Sequence, residues 1–281
     1  MMASRWPRLS GSWRPRLGVT GWFAVAILAV YMLLAAFPSL FATHDPIAQD
    51  VVNRLQDPSG SHWFGTDELG RDIFSRVVHG SRTSLITALI ALAVSLPCGT
   101  VAGLVSGYFG GRIDEVISRV TDLLLAFPGV LVAMVFIAVF GRTVIVVPIV
   151  IGVVNIPAFV RVTRAIALQV RDLPYVDAAR SAGAPPSWLM GRTILPNATD
   201  EISTQALLVA SRAIIIAAGL SFLGLGVPPP APSWGGMLSS SRAYLNEVPW
   251  YGVFPGLCIA LLVLALQMLS RGARSSLDGL S

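Results

Sequence analysis

Tyr175-Val176-Asp177-Ala178-Ala179-Arg180-Ser181-Ala182-Gly183-Ala184-Pro185-Pro186-Ser187-Trp188, ending in Thr193-Ile194-Leu195-Pro196-Asn197, lies between two long apolar runs. It reads as a helix with an acidic first turn and small residues, broken by Gly183 and by the Pro185-Pro186 pair. A second amphipathic helix follows, and Pro196 ends it. Ala178, Ala179 and Ala182 leave a surface with little side-chain bulk, which the groove of another protein can approach closely. The plainer alternative is a helical hairpin packed on its own bundle.

The apolar runs on either side belong to a set of six. They are Gly21 to Leu40, about Leu85 to Val105, about Leu123 to Phe140, about Val144 to Val160, about Thr204 to Leu225 and about Tyr251 to Leu269. Each approaches the roughly 20 residues that a bilayer's hydrocarbon core demands of a helix. Composition agrees: of 281 residues 54% are hydrophobic and 12% charged, with a mean hydropathy of +0.71. A soluble domain carries about 25% charged residues, and one of this length has no core large enough for so much apolar surface. Disorder is excluded by hydrophobicity, and a disulfide scaffold by the presence of only two cysteines. Cys98 and Cys258 both sit in apolar runs and read as small buried hydrophobes. The fold class expected is an all-α polytopic membrane protein with six transmembrane helices.

All twenty basic residues are arginine, scattered without a basic stripe, so nucleic-acid recognition finds no support. Their placement orients the chain. With the N-terminus inside, thirteen arginines fall in inner segments and six in outer ones, which favours two cytoplasmic termini. The first run follows Arg5, Arg8, Arg14 and Arg16 but lacks a small-x-small cleavage site, and it reads as a retained helix. The organisation expected is a tail over 1–20, a membrane domain over 21–275 and a short tail over 276–281. The membrane domain contains an outer segment at 41–83 and an inner one at 161–203. Arg212 is the one arginine inside an apolar run. A charge in hydrocarbon is costly unless paired or hydrated. It therefore faces a water-filled passage or subunit interface, or else the span begins near residue 208 and Arg212 snorkels to the inner headgroups.

In the outer segment, His62-Trp63-Phe64-Gly65-Thr66-Asp67-Glu68-Leu69-Gly70-Arg71-Asp72 gives aromatics, a turn and then helical spacing. Positions 69, 73, 74, 77 and 78 predict a short amphipathic helix on the outer surface that leads into the second span. An Asp72/Arg76 pair at i,i+4 would support it, and the segment could also dock an outer partner. His44, His62 and His79 are widely separated in unlike contexts, so no metal site is expected.

The order of these blocks resembles the ATP-binding-cassette importer permeases of bacteria. Asp177-Ala178-Ala179, Gly183 and Pro196 have the spacing of that group's EAA signature, with Asp in place of the usual Glu. Over residues 20–275 the likeness is to the C-type subunit of the dipeptide/oligopeptide/nickel permease family. It is carried by Phe64-Gly65-Thr66-Asp67 with Gly70-Arg71-Asp72 and Ser75-Arg76, and by Gly80-Ser81-Arg82-Thr83-Ser84-Leu85. Asp122-Leu123-Leu124-Leu125-Ala126-Phe127-Pro128 matches too, as does Ser221-Phe222-Leu223-Gly224-Leu225-Gly226 leading to Pro232-Ser233-Trp234-Gly235. The resemblance implies a type I importer permease fold in the bacterial inner membrane, working without a cofactor of its own. It implies a homologous B-type permease subunit, two ATPase subunits and an extracytoplasmic substrate-binding protein as partners. It also implies that Asp177, Ala178, Ala179, Gly183, Ala184, Pro185, Pro186 and Pro196 form the loop that couples to the ATPase. Asp67, Arg71, Asp72, Arg76 and Arg82 then belong to a periplasmic motif, and Arg212 and Ser221 to the passage or an interface. The family pattern often places a glutamate before the Ser-Phe-Leu-Gly-Leu-Gly block, where Ala217 stands here. The side chain at that point is therefore not acidic.

Short peptides are the solute expected from the resemblance, with nickel chelates or another small solute as the alternative. The chain has no lysine and hence no Walker motif, so ATP hydrolysis resides on a partner. An intramembrane enzyme would need a His-Glu-x-x-His, a Gly-x-Ser-x-Gly at suitable depth or an aspartate pair within the spans, and none occurs. A stand-alone secondary carrier is a further rival, and no internal repeat supports it. Gly99 to Gly111 and Gly219 to Gly226 read as helix-packing and turn segments.

Overall fold

A computed structural model describes residues 18–278, with side chains to residue 273. The arginines of the N-terminal tail, Arg274 as a side chain and residues 279–281 lie outside the described residues, while 276–278, expected as tail, are helical. The helices are α1 (Val19–Ala36), α2 (Pro38–Phe41), α3 (Ile73–Phe109), α4 (Gly111–Ala126), α5 (Gly129–Phe140) and α6 (Val146–Arg171). They continue as α7 (Pro174–Ser181), α8 (Pro186–Trp188), a π-helical turn (Leu189–Ile194), α9 (Leu195–Phe222), α10 (Trp234–Ser241) and α11 (Trp250–Asp278). Five helices are long and apolar enough to cross a bilayer, and the pair α4–α5 makes a sixth crossing if counted together.

That pair corrects the third expected span. The run Leu123–Phe140 is not one straight helix: α4 and α5 meet at 93°. Pro128, which has no N–H to donate and disfavours helix in the residue before it, supplies the break. Phe127 accordingly adopts an extended conformation (ψ 147°). α4 is amphipathic, and its Asp114 carboxylate is gripped by Arg164 of α6, with Nη2 donating at 2.7 Å. Arg161 donates to Asp122 at 3.1 Å on the same pair of helices.

The second expected span is longer than the apolar run. α3 has 37 residues, about 55 Å at 1.5 Å per residue, against a hydrocarbon core of about 30 Å. The separate surface helix expected from Leu69 is absent; its residues from Ile73 onward are the first turns of α3. Asp72 starts that helix by accepting from the Ser75 backbone N–H at 2.8 Å. Ile73 and Val77 are then buried against Met237, Val248 and Tyr251 rather than laid on a membrane surface.

α3 and α6 form the closest helix pair. Gly99, Gly103 and Gly107 recur every four residues on α3 and let the backbone of α6 approach. A Cβ at Gly103 would stand 2.7 Å from the Val160 carbonyl oxygen and 2.8 Å from Thr163 Cβ. This is small-residue packing of the kind that dominates helix association in membranes. The opposite face of α3 is turned out, and it leaves Cys98 exposed, contrary to the buried position expected from its apolar neighbours. Cys258 is half-buried, where its carbonyl oxygen accepts from Tyr31 Oη at 3.1 Å.

The inner segment 161–203 is mostly helix extension. α6 continues to Arg171, and a single helical run covers Pro186–Phe222. Pro196 does not end a helix, as the sequence suggests. It stands in the first turn of α9, directly after the π-helical turn, whose wider hydrogen-bond register absorbs the missing N–H.

Candidate functional site

Two groups of the residues singled out in the sequence gather at opposite ends of the bundle. At one end the outer motif folds on itself. Asp67 is fully buried and accepts from the backbone N–H groups of Leu69 and Arg71 at 2.9 and 3.0 Å. Arg71 Nε donates to Asp67 Oδ2 at 2.7 Å, and Arg76 Nε stands 3.4 Å from the same oxygen. Glu68 receives Arg71 Nη2 at 3.2 Å and the Tyr251 hydroxyl at 2.6 Å, which ties the loop to α11. Arg76 Nη1 donates to the Pro46 carbonyl at 2.8 Å. The expected Asp72/Arg76 pair does not form, because Arg76 turns to Asp67 while Asp72 caps α3 and receives His62 Nδ1 at 2.9 Å. These charges are paired with one another and nearly all buried. Their chemistry is to lock the loop, since a buried ion stripped of its partner is strongly destabilising. Arg82 stands apart from them, exposed on α3.

The locked loop forms one wall of a cavity of about 270 Å³. Glu68 and Arg71 line it from the loop, Arg76 from the first turn of α3, Arg142 from the turn after α5, Ser221 from the end of α9 and Ser239 from α10. Arg142 Nη1 donates to the Gly224 carbonyl at 2.7 Å and fastens the two walls together. Ser221 and the outer motif, unconnected in sequence, thus meet at one polar chamber. Arg142 was legible only as a loop charge; its short Gly141-Arg142-Thr143 turn is the feature that aims it. The far wall is fixed by Trp234, buried, whose indole Nε1 donates to the Val77 carbonyl at 2.8 Å. Gly80 makes room for it, because a Cβ there would lie 2.6 Å from Trp234 Cδ1.

At the other end sits the Asp177–Pro186 loop. α7 closes in a Schellman turn: Gly183, at φ +87°, donates to the Arg180 carbonyl at 3.0 Å, and Ala184 donates to the Ala179 carbonyl at 3.1 Å. Val176 is buried with Leu104, Ala167, Val170, Leu189 and Ile194, and Ala179 and Ala184 pack partly against that cluster. Asp177, Ala178, Ala182, Gly183, Pro185 and Pro186 are exposed. Asp177 accepts from Arg180 at 3.2 Å on that open face. The small-residue surface read from the sequence is therefore real at Ala178 and Ala182 but turned inward at Ala179. Pro196 is exposed beyond it, on α9.

Arg212 projects from α9 with an exposed side chain, and no ion pair to it occurs among the described residues. His44 and His62 do not stay apart as their sequence separation suggests: their rings stack with centroids 4.6 Å apart. His79 stays apart from them on α3, where its Nδ1 lies 2.9 Å from the Ser75 carbonyl oxygen.

Known proteins show the same plan. The chain is 40% identical over 263 residues to the dipeptide transport system permease protein DppC of Alkalihalophilus pseudofirmus, covering 94% of this chain and 86% of that protein. It is 39% identical over 255 residues to the probable D,D-dipeptide transport system permease protein DdpC of Escherichia coli K12, covering 91% and 86%. With the glutathione transport system permease protein GsiD of Pectobacterium atrosepticum it shares 41% over 227 residues, 80% of this chain and 75% of that one. Among solved structures, an inward-facing form of the MetNI methionine ABC transporter superposes with a TM-score of 0.52. It covers 71% of this chain and 93% of that one at 15% identity, a likeness of fold alone. Residues 99–276 match the family described as the binding-protein-dependent transport system inner membrane component, and this chain, an all-α membrane permease, belongs to that family.

Proposed function

We propose that this chain is the non-catalytic permease subunit of an ATP-driven importer of short peptides, paired with a homologous permease subunit and served by two ATPase subunits and a substrate-binding protein. The observation that carries the reading is the roughly 40% identity, over almost the whole chain, to permeases named for dipeptide transport. The relative named for glutathione, itself a tripeptide, lies in the same class of solute. In this reading the 270 Å³ chamber belongs to the outer mouth of the passage. The exposed face of α7 docks on an ATPase, and both termini lie in the cytoplasm of a bacterial inner membrane.

Orientation is tested by cysteine labelling in a background lacking Cys98 and Cys258. A cysteine at Ser61 is expected to react with an impermeant reagent from outside, and one at Ser187 only from inside. Reaction of position 187 from outside overturns the topology.

Transport is tested by uptake of a labelled dipeptide into cells lacking the chain, with and without its restoration, and by mass spectrometry of the subunits that copurify. Restored uptake together with a Walker-bearing ATPase is the expected result; ATPase-free uptake driven by an ion gradient overturns it. In the same assay Arg212→Ala is expected to lower uptake several-fold while the complex still assembles and hydrolyses ATP. An exposed arginine within the apolar run of α9, eight residues after Thr204, faces water or a partner rather than lipid. Unchanged uptake would return Arg212 to a snorkelling role.

A further inference from the structure

We infer that His44, His62 and Asp72 form a binding site for a divalent transition ion of the zinc class, at the end of the bundle that carries the polar chamber. The three come from separate places: His44 from the segment after α2, His62 from the loop ahead of α3, and Asp72 from the N-cap of α3. One ligand atom from each lies within 4.8 Å of the others.

The carboxylate is divided between two tasks. Asp72 is fully buried, and its Oδ2 accepts from the Ser75 backbone N–H at 2.8 Å, the Ser75 hydroxyl at 2.7 Å and the Thr43 hydroxyl at 3.3 Å. Its Oδ1 is turned to the imidazoles, 2.9 Å from His62 Nδ1 and 3.8 Å from His44 Nδ1. One oxygen is thus held by outer donors and the other presented, which is how protein surroundings orient a metal-ligating carboxylate. The hydrogen bond from His62 accounts for His62 and Asp72. His44 Nδ1 lies 3.0 Å from the Thr43 hydroxyl, which itself reaches Asp72 Oδ2, so a second imidazole, 42% exposed, is held in the same network and stacks on the first with its Nδ1 3.8 Å from the presented oxygen.

Two imidazole nitrogens and one carboxylate oxygen suit zinc and its neighbours rather than calcium or magnesium, which take six or more oxygens or keep most of their water. Bonds of about 2.0–2.1 Å in a tetrahedron set ligand atoms about 3.3 Å apart. His62 and Asp72 already stand near that spacing, and only His44, the exposed member, has to swing inward. Water takes the fourth position on the open side. A bound ion would fasten the segment after the first span to the cap of α3, bridging 28 residues of sequence between His44 and Asp72.

The test uses the purified complex, stripped with chelator and then titrated with Co²⁺ or Zn²⁺. One saturable equivalent per copy of this chain is expected, with Co²⁺ giving the visible absorption of a four-coordinate site. Zn²⁺ at about 100 times its dissociation constant is expected to raise the unfolding midpoint by about 5–10 °C, the effect of roughly 2.7 kcal/mol on a domain of this size. His44→Ala, which removes an exposed side chain and leaves the Asp72 cap intact, is expected to abolish the cobalt absorption and the shift without changing the metal-free midpoint. His79→Ala, the control, keeps both. Absence of saturable binding by the wild type, or cobalt absorption that survives in His44→Ala, overturns the site and leaves the cluster a hydrogen-bonded anchor.

Discussion

Gly103→Val is expected to remove the folded subunit from the membrane almost entirely. The added Cβ would stand 2.7 Å from the Val160 carbonyl oxygen, 2.8 Å from Thr163 Cβ and 3.0 Å from the Arg164 backbone nitrogen. Two of these three atoms are backbone, so no rotamer change relieves the contact; α3 and α6 must part. Overpacking of this kind costs about 1–3 kcal/mol, and more where a backbone has to move. Parting the helices also weakens the contacts at Gly99, where a Cβ would meet Phe159 Cβ at 2.6 Å, and at Gly107, where it would meet Ala167 Cβ at 2.5 Å. Every 1.4 kcal/mol is tenfold in the folded-to-unfolded ratio, and because cells degrade the unfolded form, a loss of tenfold or more in membrane-inserted, protease-resistant protein is the expected reading on a quantitative blot. Gly219→Ala is the control, because a Cβ there meets nothing within 4 Å and the residue is already helical. Normal abundance of Gly103→Val would show that the α3–α6 contact does not hold this fold together.

The second large effect lies at the other end of the molecule. If the proposed assembly holds, Ala178→Trp is expected to leave the subunit in the membrane and joined to a permease partner while abolishing most ATPase association or uncoupling hydrolysis from uptake. Ala178 is exposed on α7, so the indole has room within this chain and meets an obstacle only when a groove closes over it. Ala179→Trp is a poorer test, because Ala179 already packs against the subunit's own Val176–Leu189 cluster and would disturb that first. Gly183→Leu acts differently again. A side chain at Gly183 meets nothing within 4 Å, but the backbone sits at φ +87°, which a leucine adopts only with strain. It should reset the Pro185-Pro186 turn without a clash. Copurification of the ATPase, ATP turnover and uptake, measured together, separate these outcomes. Full binding and coupled transport in both Ala178→Trp and Gly183→Leu, at normal abundance, would show that this loop does not dock.

The spans were legible because hydropathy is summed over many residues, and no single contact decides it. The blocks of the outer motif and the Asp177–Pro186 loop were singled out by their resemblance to a family's motifs. What the sequence hid was where helices continue past their apolar stretch. Polar residues such as Arg164, Gln169 and Arg171 extend α6 because the helix carries Pro157 inside it and no Gly or Pro follows before Arg171, and a hydropathy pattern has no means of showing this. Pro128 and Pro196 show the same limit from the other side. Both are prolines within helical surroundings, yet one turns the chain by 93° and the other is carried by a π turn. Pairing of charges was hidden for a different reason. Arg76 has Asp72 one helical turn away and ignores it for Asp67, because Asp72 is already engaged at the helix cap and by His62. The meeting of Arg142 with Gly224 joins residues 82 positions apart, which no local pattern announces.

The uninterrupted helical run Pro186–Phe222 has a mechanical consequence. Its 37 residues make a shaft about 55 Å long, with the Gly183–Pro186 turn beside one tip and Ser221 at the other. Swung about its midpoint by only about 5°, a shaft of that length carries each tip through about 2 Å. The Arg142–Gly224 hydrogen bond, 2.7 Å long, spans the far tip and its neighbouring turn, and a sweep of that size is enough to open it. Arg142 thus sits as a catch at the end of a long lever, where a small push on the near arm arrives as the difference between a closed chamber wall and a parted one.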